Sequence, residues 1–277
     1  MVTIVHLSDL HFGRVDPAVL SPLLRTIEST TPALIVISGD LTQRARADQF
    51  RQARRFLDRL PRPLLVVPGN HDVPLYNLAV RWLDPFGGYR RYIQHELEPS
   101  YEHDEFVAVG LNSARAIPFH GGGRLNQAQV VRAVARLQAA KGNVIRIVVS
   151  HHPFDVPDTH GDEHVIGRSG MAMRQLAAAG VDLFLAGHLH ISHVGHSTTR
   201  YRIAGHSALV VQAGTISTRT RGEANSLNVL RLSRDAIEIE RYDWEDEAAA
   251  FRPQRRGTFC RTTDGWIPDP RSGNGRA

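Results

Sequence analysis

Chemically active side chains follow five predicted strands in this sequence, each directly after an apolar run. Every run ends in a carboxylate, an amide or an imidazole, and several of these stand beside a glycine. The residues concerned are Asp9, His11, Asp40, Asn70, His71, Asp72, His151, His188 and His190. Because the carboxyl ends of strands in an α/β sheet lie along one edge, where ligands bind, we expect these scattered residues to converge on one site.

The residue types narrow the chemistry of that site. Aspartate, histidine and asparagine offer oxygen and nitrogen donors without any thiolate, a mixture that suits Mn, Fe, Zn or Co better than Ca or Mg. The donors outnumber what one ion can use. The sequence therefore predicts two metal ions that share a bridging carboxylate.

The elements that must position these residues alternate short apolar strands with longer amphipathic helices. From residue 193 onward strands follow one another with little helix between them. A β-rich final third after a βαβ beginning predicts an α/β fold with two sheets packed on each other. We predict a single domain over 1–252 and a loop-like C-terminal tail over 253–277, which is rich in Gly, Pro and Arg and has no period.

Charge and composition exclude several classes of partner. The chain has 33 basic and 28 acidic residues, a modest excess that is spread along it. The densest arginine cluster, over 44–59, lies on an amphipathic helical pattern and is predicted to be a solvated helix face, so we expect no nucleic-acid partner. No apolar run approaches the roughly 18 residues of a membrane helix, so we expect no membrane partner. Homo-oligomerisation stays open.

Two features of the sequence predict a cytoplasmic location. The N-terminus enters a strand pattern directly, without the basic stretch and apolar core of a signal peptide. Cys260 is the single cysteine, which allows no internal disulfide and is typical of a reducing compartment.

Five ordered motifs carry a family resemblance. In chain order they are Asp9-x-His11, Gly39-Asp40, Gly69-Asn70-His71-Asp72, His151-x-Pro153 and Gly187-His188-x-His190. This set resembles the calcineurin-like metallophosphoesterase superfamily, in particular the bacterial branch with class III cyclic nucleotide phosphodiesterases and glycerophosphodiesterases. The resemblance runs over 2–217. It implies a four-layer αββα sandwich, with two packed mixed β-sheets flanked by helices.

Carried over residue by residue, the resemblance implies roles for each motif. One metal ion would be held by Asp9, His11, Asp40 and His190, and the second by Asp40, Asn70, His151 and His188. His71 would be the catalytic residue, donating a proton or a hydrogen bond to the leaving oxygen. Two ions of this kind make a bridging hydroxide that attacks phosphorus in line. The expected enzyme is a dinuclear-metal-dependent phosphodiesterase.

Substrate contacts are predicted at Asn70 and His71, with His120 and Arg168 as further candidates. The irregular stretch 154–170 is predicted to be a lid. The resemblance favours phosphodiesters over monoesters, and cyclic nucleotides, glycerophosphodiesters and small aryl or alkyl diesters all stay open. Gln43 stands where many members have a carboxylate that orients the catalytic histidine, and its amide could hold the ring instead.

Other functions were weighed against this prediction. A phosphomonoesterase or a nuclease could use the same site, although nuclease relatives usually carry an added capping domain for which we see no room. A non-catalytic interaction scaffold is a further alternative, but such relatives lose the catalytic histidine or a ligand, and all are present here. The simplest alternative is a histidine-rich domain whose motifs are merely turns.

Overall fold

Four layers make up the part of the chain that the structure, a computed structural model, describes: residues 1–116, 122–157, 159–201, 203 and 206–271. The helices are α1 (Pro17–Ser29), α2 (Ala47–Leu57), α3 (Leu78–Leu83), α4 (Gly87–Tyr92), α5 (Gln127–Ala139) and α6 (Ser169–Ala178), and 3₁₀ turns cover Asn70–Asp72, Asp162–His164 and Ser197–Thr199. The strands are β1 (Val2–Leu7), β2 (Leu34–Ile37), β3 (Leu64–Val66), β4 (Ser100–Glu102), β5 (Phe106–Leu111), β6 (Ile145–Ser150), β7 (Leu183–Ala186), β8 (His193–His196), β9 (Leu209–Gln212), β10 (Ser226–Leu232), β11 (Ala236–Glu245), β12 (Ala250–Thr262) and β13 (Gly265–Pro268).

Both sheets are mixed. Among the described residues the first has the order β13-β12-β11-β10-β1-β2-β3 and the second the order β4-β5-β6-β7-β9-β8. Strands β1, β2 and β3 are parallel, as are β5, β6, β7 and β9. The strands that precede the predicted ligands therefore all end at one edge of their sheet, as the strand-end rule requires.

Alternation along the strands divides the apolar side chains among three cores. Ile4 of β1 packs between the two sheets, against residues of β5, β6 and β7, while its neighbour Val5 packs on the other face against α1 and α2. In the second sheet Val107 and Val109 of β5 face α5 and α6. Period-2 alternation thus places helices outside each sheet, which confirms the predicted α/β class and αββα sandwich.

The prediction of a loop-like tail over 253–277 was wrong for its described residues. Strand β12 crosses the predicted domain boundary at residue 252 and pairs with β11, and β13 pairs with β12. Phe259 and Trp266 are buried in the core between the sheets. Residues 252–256 of β12 are all exposed, so the sequence shows no alternation of apolar and polar side chains there. Residues 272–277 of the predicted tail lie outside the described residues.

Within the described ranges, the helices are all too short or too polar to cross a membrane.

Candidate metal centre

Five of the predicted metal ligands have a left-handed backbone conformation. Their φ angles are 53° at Asp9, 44° at His11, 52° at Asp40, 75° at His188 and 61° at His190. Residues with side chains rarely adopt this region, at a cost of order 1–3 kcal/mol each, and such strain clusters at functional sites. The strained turns come directly after β1, β2 and β7, and they direct the side chains over the sheet edge.

Hydrogen bonds between the turns hold this backbone. The Asp9 N–H donates to Gly39 O at 3.1 Å, and the His11 N–H donates to Asp40 O at 2.9 Å. The Asp9 carboxylate in turn accepts the His188 N–H at 2.9 Å. Hydrogen bonds within the chain therefore join the turns after β1, β2 and β7 to one another.

Asp72 ties the turn after β3 to the turn after β2. Its carboxylate accepts the N–H groups of Gly69 at 3.0 Å, Leu41 at 3.1 Å and Thr42 at 2.9 Å. Burial raises the pKa of Asp72 to about 7, helped by the Asp40 charge and opposed by these donors. The turn that carries Asn70 and His71 is thereby fixed against the turn that carries Asp40.

Gly39 and Gly69 give the ligands room. Gly39 has φ 96°, and a Cβ there would lie 2.6 Å from His151 Nδ1. A Cβ on Gly69 would collide with the Asp40 carboxylate. A glycine is required at both positions because a ligand side chain fills the space that a Cβ would take.

One half of the cluster joins Asp9, His11, His190 and Asp40. His190 Nε2 lies 3.1 Å from Asp9 Oδ1 and 3.0 Å from His11 Nε2. His11 Nε2 also lies 3.5 Å from Asp9 Oδ1 and 3.5 Å from Asp40 Oδ2. All four residues are buried. Donor atoms of Asp9, His11 and His190 all lie within 4.8 Å of one another, close enough to hold one ion.

The other half joins Asp40 to His151, Asn70 and His188. His151 Nε2 lies 3.4 Å from Asp40 Oδ2 and 3.0 Å from Asn70 Oδ1. The His188 ring lies 5.2 Å, centroid to centroid, from the His151 ring. Asp40 Oδ2 is thus within 3.5 Å of an imidazole nitrogen from each half, which is the position of a bridging carboxylate.

The tautomers of two histidines are set from outside the cluster. His151 Nδ1 donates to the Ser38 carbonyl at 2.8 Å, and His190 Nδ1 donates to the Arg219 carbonyl at 2.6 Å. Because a carbonyl only accepts, Nδ1 carries the proton, and the Nε2 lone pair of the neutral ring faces inward. Such backbone contacts commonly orient metal-binding histidines.

An inward lone pair that faces carboxylate or amide oxygen is repulsive unless a cation lies between them. His151 Nε2 faces Asp40 Oδ2 and Asn70 Oδ1 in this way. Without a metal the alternative is an imidazolium: burial lowers the pKa of His151, but the Asp40 carboxylate outweighs it and raises the value to about 9. The donor set therefore fits metal ions, with His151 deprotonated when they bind.

The carboxylates are held in their charged form. Burial would raise the pKa of Asp9 and of Asp40, but neighbouring histidines outweigh it and hold both values well below the usual range. Burial, with the His151 charge, lowers the pKa of His188 to about 3, so that its ring is neutral. Anionic carboxylates and neutral imidazoles are the forms that bind metal.

His71 lies at the open side of the cluster, with its ring 4.8 Å from that of His11. Its Nδ1 donates to the backbone carbonyl of Gln43 at 2.8 Å, so the main chain of Gln43 orients the ring and not the side-chain amide that the sequence suggested. The Nε2 atom consequently faces outward as an acceptor. Burial is the largest of the effects that lower the pKa of His71.

Two arginines reach His71 that the sequence analysis did not predict. Arg219 Nη1 donates to His71 Nε2 at 3.0 Å and lies 3.4 Å from His11 Nε2. Arg44 Nη1 lies 3.5 Å from His71 Nδ1 and is half-buried, so it is not part of the solvated helix face predicted for the arginine cluster. Arg219 has no motif around it in the sequence, whereas Arg44 lies only four residues after Asp40 of the Gly39-Asp40 motif.

The remaining candidates differ in where they lie. Arg168 is exposed at the beginning of α6, and no described contact joins its side chain to the cluster. His120 lies outside the described residues. His152, the middle residue of the His151-x-Pro153 motif, bonds to Ser113 Oγ at 2.8 Å, and its ring lies 4.5 Å from that of His188, beside the cluster.

The predicted lid is held by an arginine from the following segment. Arg200 Nε donates to the buried carboxylate of Asp155 at 2.6 Å, and Arg200 Nη1 donates to Asp162 at 2.8 Å. His164, in the same stretch, has its ring 6.1 Å from the His188 ring. The stretch therefore lies beside the second half of the cluster.

A family model described as calcineurin-like phosphoesterase matches residues 2–192. Among curated proteins, the chain is 30% identical over 164 residues to a glycerophosphodiester phosphodiesterase, GpdQ, of Enterobacter lignolyticus, which covers 54% of this chain and 56% of the relative. It is 36% identical over 76 residues to a UDP-2,3-diacylglucosamine pyrophosphatase, LpxG, of Chlamydia muridarum, covering 26% of this chain and 23% of the relative. The chain thus spans about half the length of the first relative and a quarter of the second.

Solved structures share the fold at low sequence identity. A purple acid phosphatase from yellow lupin (Lupinus luteus) matches with a TM-score of 0.67 and 11% identity, over 93% of this chain and 53% of that one. A dimetal phosphatase from Danio rerio matches with a TM-score of 0.61 and 13% identity, over 86% and 95%. At these identities the likeness is one of fold alone.

Proposed function

Since the chain belongs to the calcineurin-like phosphoesterase family, we propose that it is a dinuclear metal-dependent phosphodiesterase that acts on small molecules. The observation that carries the proposal is the convergence of two donor sets on Asp40, with the lone pairs of His151 and His190 directed inward. The 30% identity to a glycerophosphodiester phosphodiesterase supports a diester substrate.

We assign the ligands as the resemblance implies. Asp9, His11, Asp40 and His190 hold one ion; Asp40, Asn70, His151 and His188 hold the other. The donor types suit Mn, Fe, Zn or Co. The chemistry that two such ions supply when bound is neutralisation of phosphoryl charge and a nucleophilic water at neutral pH.

The chain's own residues bind and protonate the substrate in this proposal. Arg219 and Arg44 present cations at the open side of the cluster, where an anionic phosphodiester would lie. His71, held by the Gln43 carbonyl through Nδ1, presents Nε2 to the leaving oxygen. To act as a general acid the ring would carry a proton at Nε2, which requires the Arg219 guanidinium to leave that nitrogen for the substrate phosphate, and it would donate this proton to the leaving oxygen as the ester bond breaks. Asn70 would contact the substrate beside its ion.

The test is an activity screen after reconstitution with each candidate metal. It compares cyclic nucleotides, glycerophosphodiesters and an aryl diester with the matching monoesters and with a polynucleotide. We expect faster turnover of the small diesters. Faster turnover of monoesters or of the polynucleotide would replace this proposal with a phosphomonoesterase or a nuclease, and metal-loaded protein without any turnover would support a scaffold.

We propose the cytoplasm as the place of this activity, because the single cysteine, Cys260, permits no internal disulfide.

Removal of the metal ions with a chelator, followed by their re-addition, completes the test of the proposed enzyme. Loss of activity with a chelator, and its return with one of the four metals, is the expected result.

A further inference from the structure

The segment that follows the metal-centre turn is unusually apolar at its surface. Among the described residues nine large hydrophobic side chains are exposed, and six of them lie between residues 75 and 83. Tyr76 is 75% exposed, Trp82 70% and Leu83 87%. We call this set the 75–83 patch: Leu75, Tyr76, Leu78, Val80, Trp82 and Leu83. Exposed apolar residues are ordinary singly, but a contiguous group marks an interaction site.

Helix α3, which carries most of the patch, has its polarity reversed. Its one charged residue, Arg81, is 5% exposed, while Trp82 and Leu83 face solvent. The Arg81 guanidinium donates inward to the carbonyls of Pro74 at 2.8 Å, Arg115 at 3.3 Å and Ala116. A helix on a water-facing surface normally does the opposite. The buried arginine anchors α3 so that its apolar side chains are presented outward.

Arginines predominate in the segments before and after the patch. The chain from 44 to 91 contains ten arginines against four aspartates, and no acidic residue lies between 73 and 83. Arg44 lies over the Tyr76 ring, with Cζ 5.8 Å from the centroid. On α4, next along the chain, Arg91 is exposed, and Arg90 pairs with Asp84 at 3.3 Å. Apolar side chains with arginines around them match the two components of an anionic lipid surface.

We propose that the 75–83 patch binds the surface of an anionic phospholipid bilayer. Trp82 and Leu83 enter the boundary between headgroups and acyl chains, and arginines of the neighbouring segments, such as Arg44 and Arg91, contact the lipid phosphates. Exposures of 70% and 87% mean that these side chains protrude, and lipid deforms around protruding side chains without needing a matched socket. A second copy fits less well, because a two-fold interface would set the same arginines against one another.

This contact differs from the membrane partner that the sequence analysis excluded. That expectation depended on the length of apolar runs, which bears on spanning a bilayer and not on lying at its surface. The patch begins four residues after His71, and Arg44 contacts both His71 and Tyr76. A bilayer on the patch would therefore lie beside the metal centre. Binding needs no catalysis, so this proposal stands independently of the proposed function.

The experiment measures co-sedimentation of the full chain with vesicles. One set is phosphatidylcholine alone, and the other contains about 30% phosphatidylglycerol to supply the anionic surface. We expect binding to the anionic vesicles that is at least about tenfold tighter than to the zwitterionic ones and that weakens between about 0.1 M and 1 M salt. Absence of binding to anionic vesicles at low salt, or equal binding to both, overturns the proposal.

Variants locate the contact. The double substitution Trp82→Glu and Leu83→Glu should weaken binding to anionic vesicles at least about tenfold, since it removes buried apolar area and adds negative charge. Val131→Glu is the matched control, because Val131 is 52% exposed but lies on α5. An equal loss of vesicle binding in Val131→Glu and in the double variant would show that the 75–83 patch is not the site of contact. Sedimentation of the free protein as a dimer that Leu83→Glu dissociates would assign the patch to a second copy.

Trp82 also reports its own environment. Of the chain's three tryptophans, Trp266 is buried and Trp244 is half-buried. Addition of anionic vesicles should shift the emission to the blue, and Trp82→Phe should abolish the shift while binding persists. A blue shift that survives in Trp82→Phe would show that the bilayer is elsewhere.

Discussion

The metal centre and the 75–83 patch both invert the usual rule of burial, and they do so in different ways. At the metal centre, carboxylates and imidazoles are buried, but they face opposite charges and backbone carbonyls within the chain. At the patch, leucine, tyrosine and tryptophan are exposed, and nothing in the described residues covers them. The first inversion is compensated internally and needs only ions. The second has no compensation within the described residues.

This contrast predicts different responses to substitution at the two regions. Changes at the metal centre should alter metal binding, catalysis and pH dependence, since each polar group there supports others. Changes at the patch should alter binding to an outside surface and leave the fold unaffected.

The largest effect is expected from Asp40→Ala. Removal of the carboxylate shared by both halves should abolish binding of both metals and lower turnover by at least about 1,000-fold, more than loss of one charge-stabilising donor. Metal analysis of the purified variant and its circular dichroism check this. If the variant retained two metals, Asp40 would not bridge; if it unfolded, the motifs would be structural turns.

The next largest effect on turnover is expected from His71→Ala. The residue contacts the open side of the cluster through its ring, so both metals should stay bound while turnover falls about 100- to 10,000-fold, the usual contribution of a general acid. Diesters with good leaving groups should lose less, because they need less protonation. Loss of metal with loss of activity would make His71 a ligand and not an acid.

Arg219→Ala tests the role of the Arg219 guanidinium without removing the backbone carbonyl of the same residue. The backbone of Arg219 accepts from His190 and would stay in place, whereas the guanidinium next to His71 is removed. We expect metal content to be unchanged and kcat/KM to fall about 10- to 100-fold, the value of a charged hydrogen bond. Arg174→Ala, at an exposed site on α6, is the matched control. An equal loss of kcat/KM in the two variants would show that the Arg219 guanidinium does not act at the site.

The pH dependence of stability is predicted from His6, which is buried beneath the metal-centre edge and bonded to Ser38 Oγ at 2.9 Å. Burial lowers the pKa of His6 to about 3, against 6.5 for the model compound. The unfolded chain therefore takes up a proton below about pH 6.5 that the folded chain excludes until about pH 3. The contribution of His6 to the free energy of unfolding is complete above about pH 6.5. It decreases as the pH is lowered, by roughly 2 kcal/mol between pH 7 and pH 5.

His6→Asn removes that proton uptake. Unfolding in urea at pH 7 and pH 5 should show a decrease in stability that is about 2 kcal/mol smaller in the variant than in the parent, and every other titrating group is common to both. An identical decrease in the two proteins would mean that His6 is not a buried neutral ring.

The smallest effect is expected at the patch. Leu83→Gln should change the free energy of unfolding by less than about 0.5 kcal/mol, because an exposed side chain makes few contacts. Leu23→Ala in α1 is the buried control and should cost about 2–5 kcal/mol. A large loss in Leu83→Gln would show that the patch packs within the chain.

The strand-end motifs were predictable because their information is local. An apolar run followed by Asp, His or Gly-Asn-His indicates both the strand and the residue at its carboxyl end, and the parallel pairing of β1 with β2, β2 with β3 and β6 with β7 brings such ends together. The α/β sandwich follows from the same alternation. The strand β12 was missed because its residues 252–256 are all exposed and polar or proline, so no apolar alternation reveals the period there.

The sequence by itself determined which donors this protein has and in what order, since side-chain chemistry and strand periodicity are read residue by residue. Only the tertiary structure decided that the Gln43 carbonyl orients His71, that Arg219 reaches it from 148 residues away, and that α3 turns its arginine inward and its leucines outward. Contacts between distant segments depend on how the layers pack, and no local pattern encodes that packing.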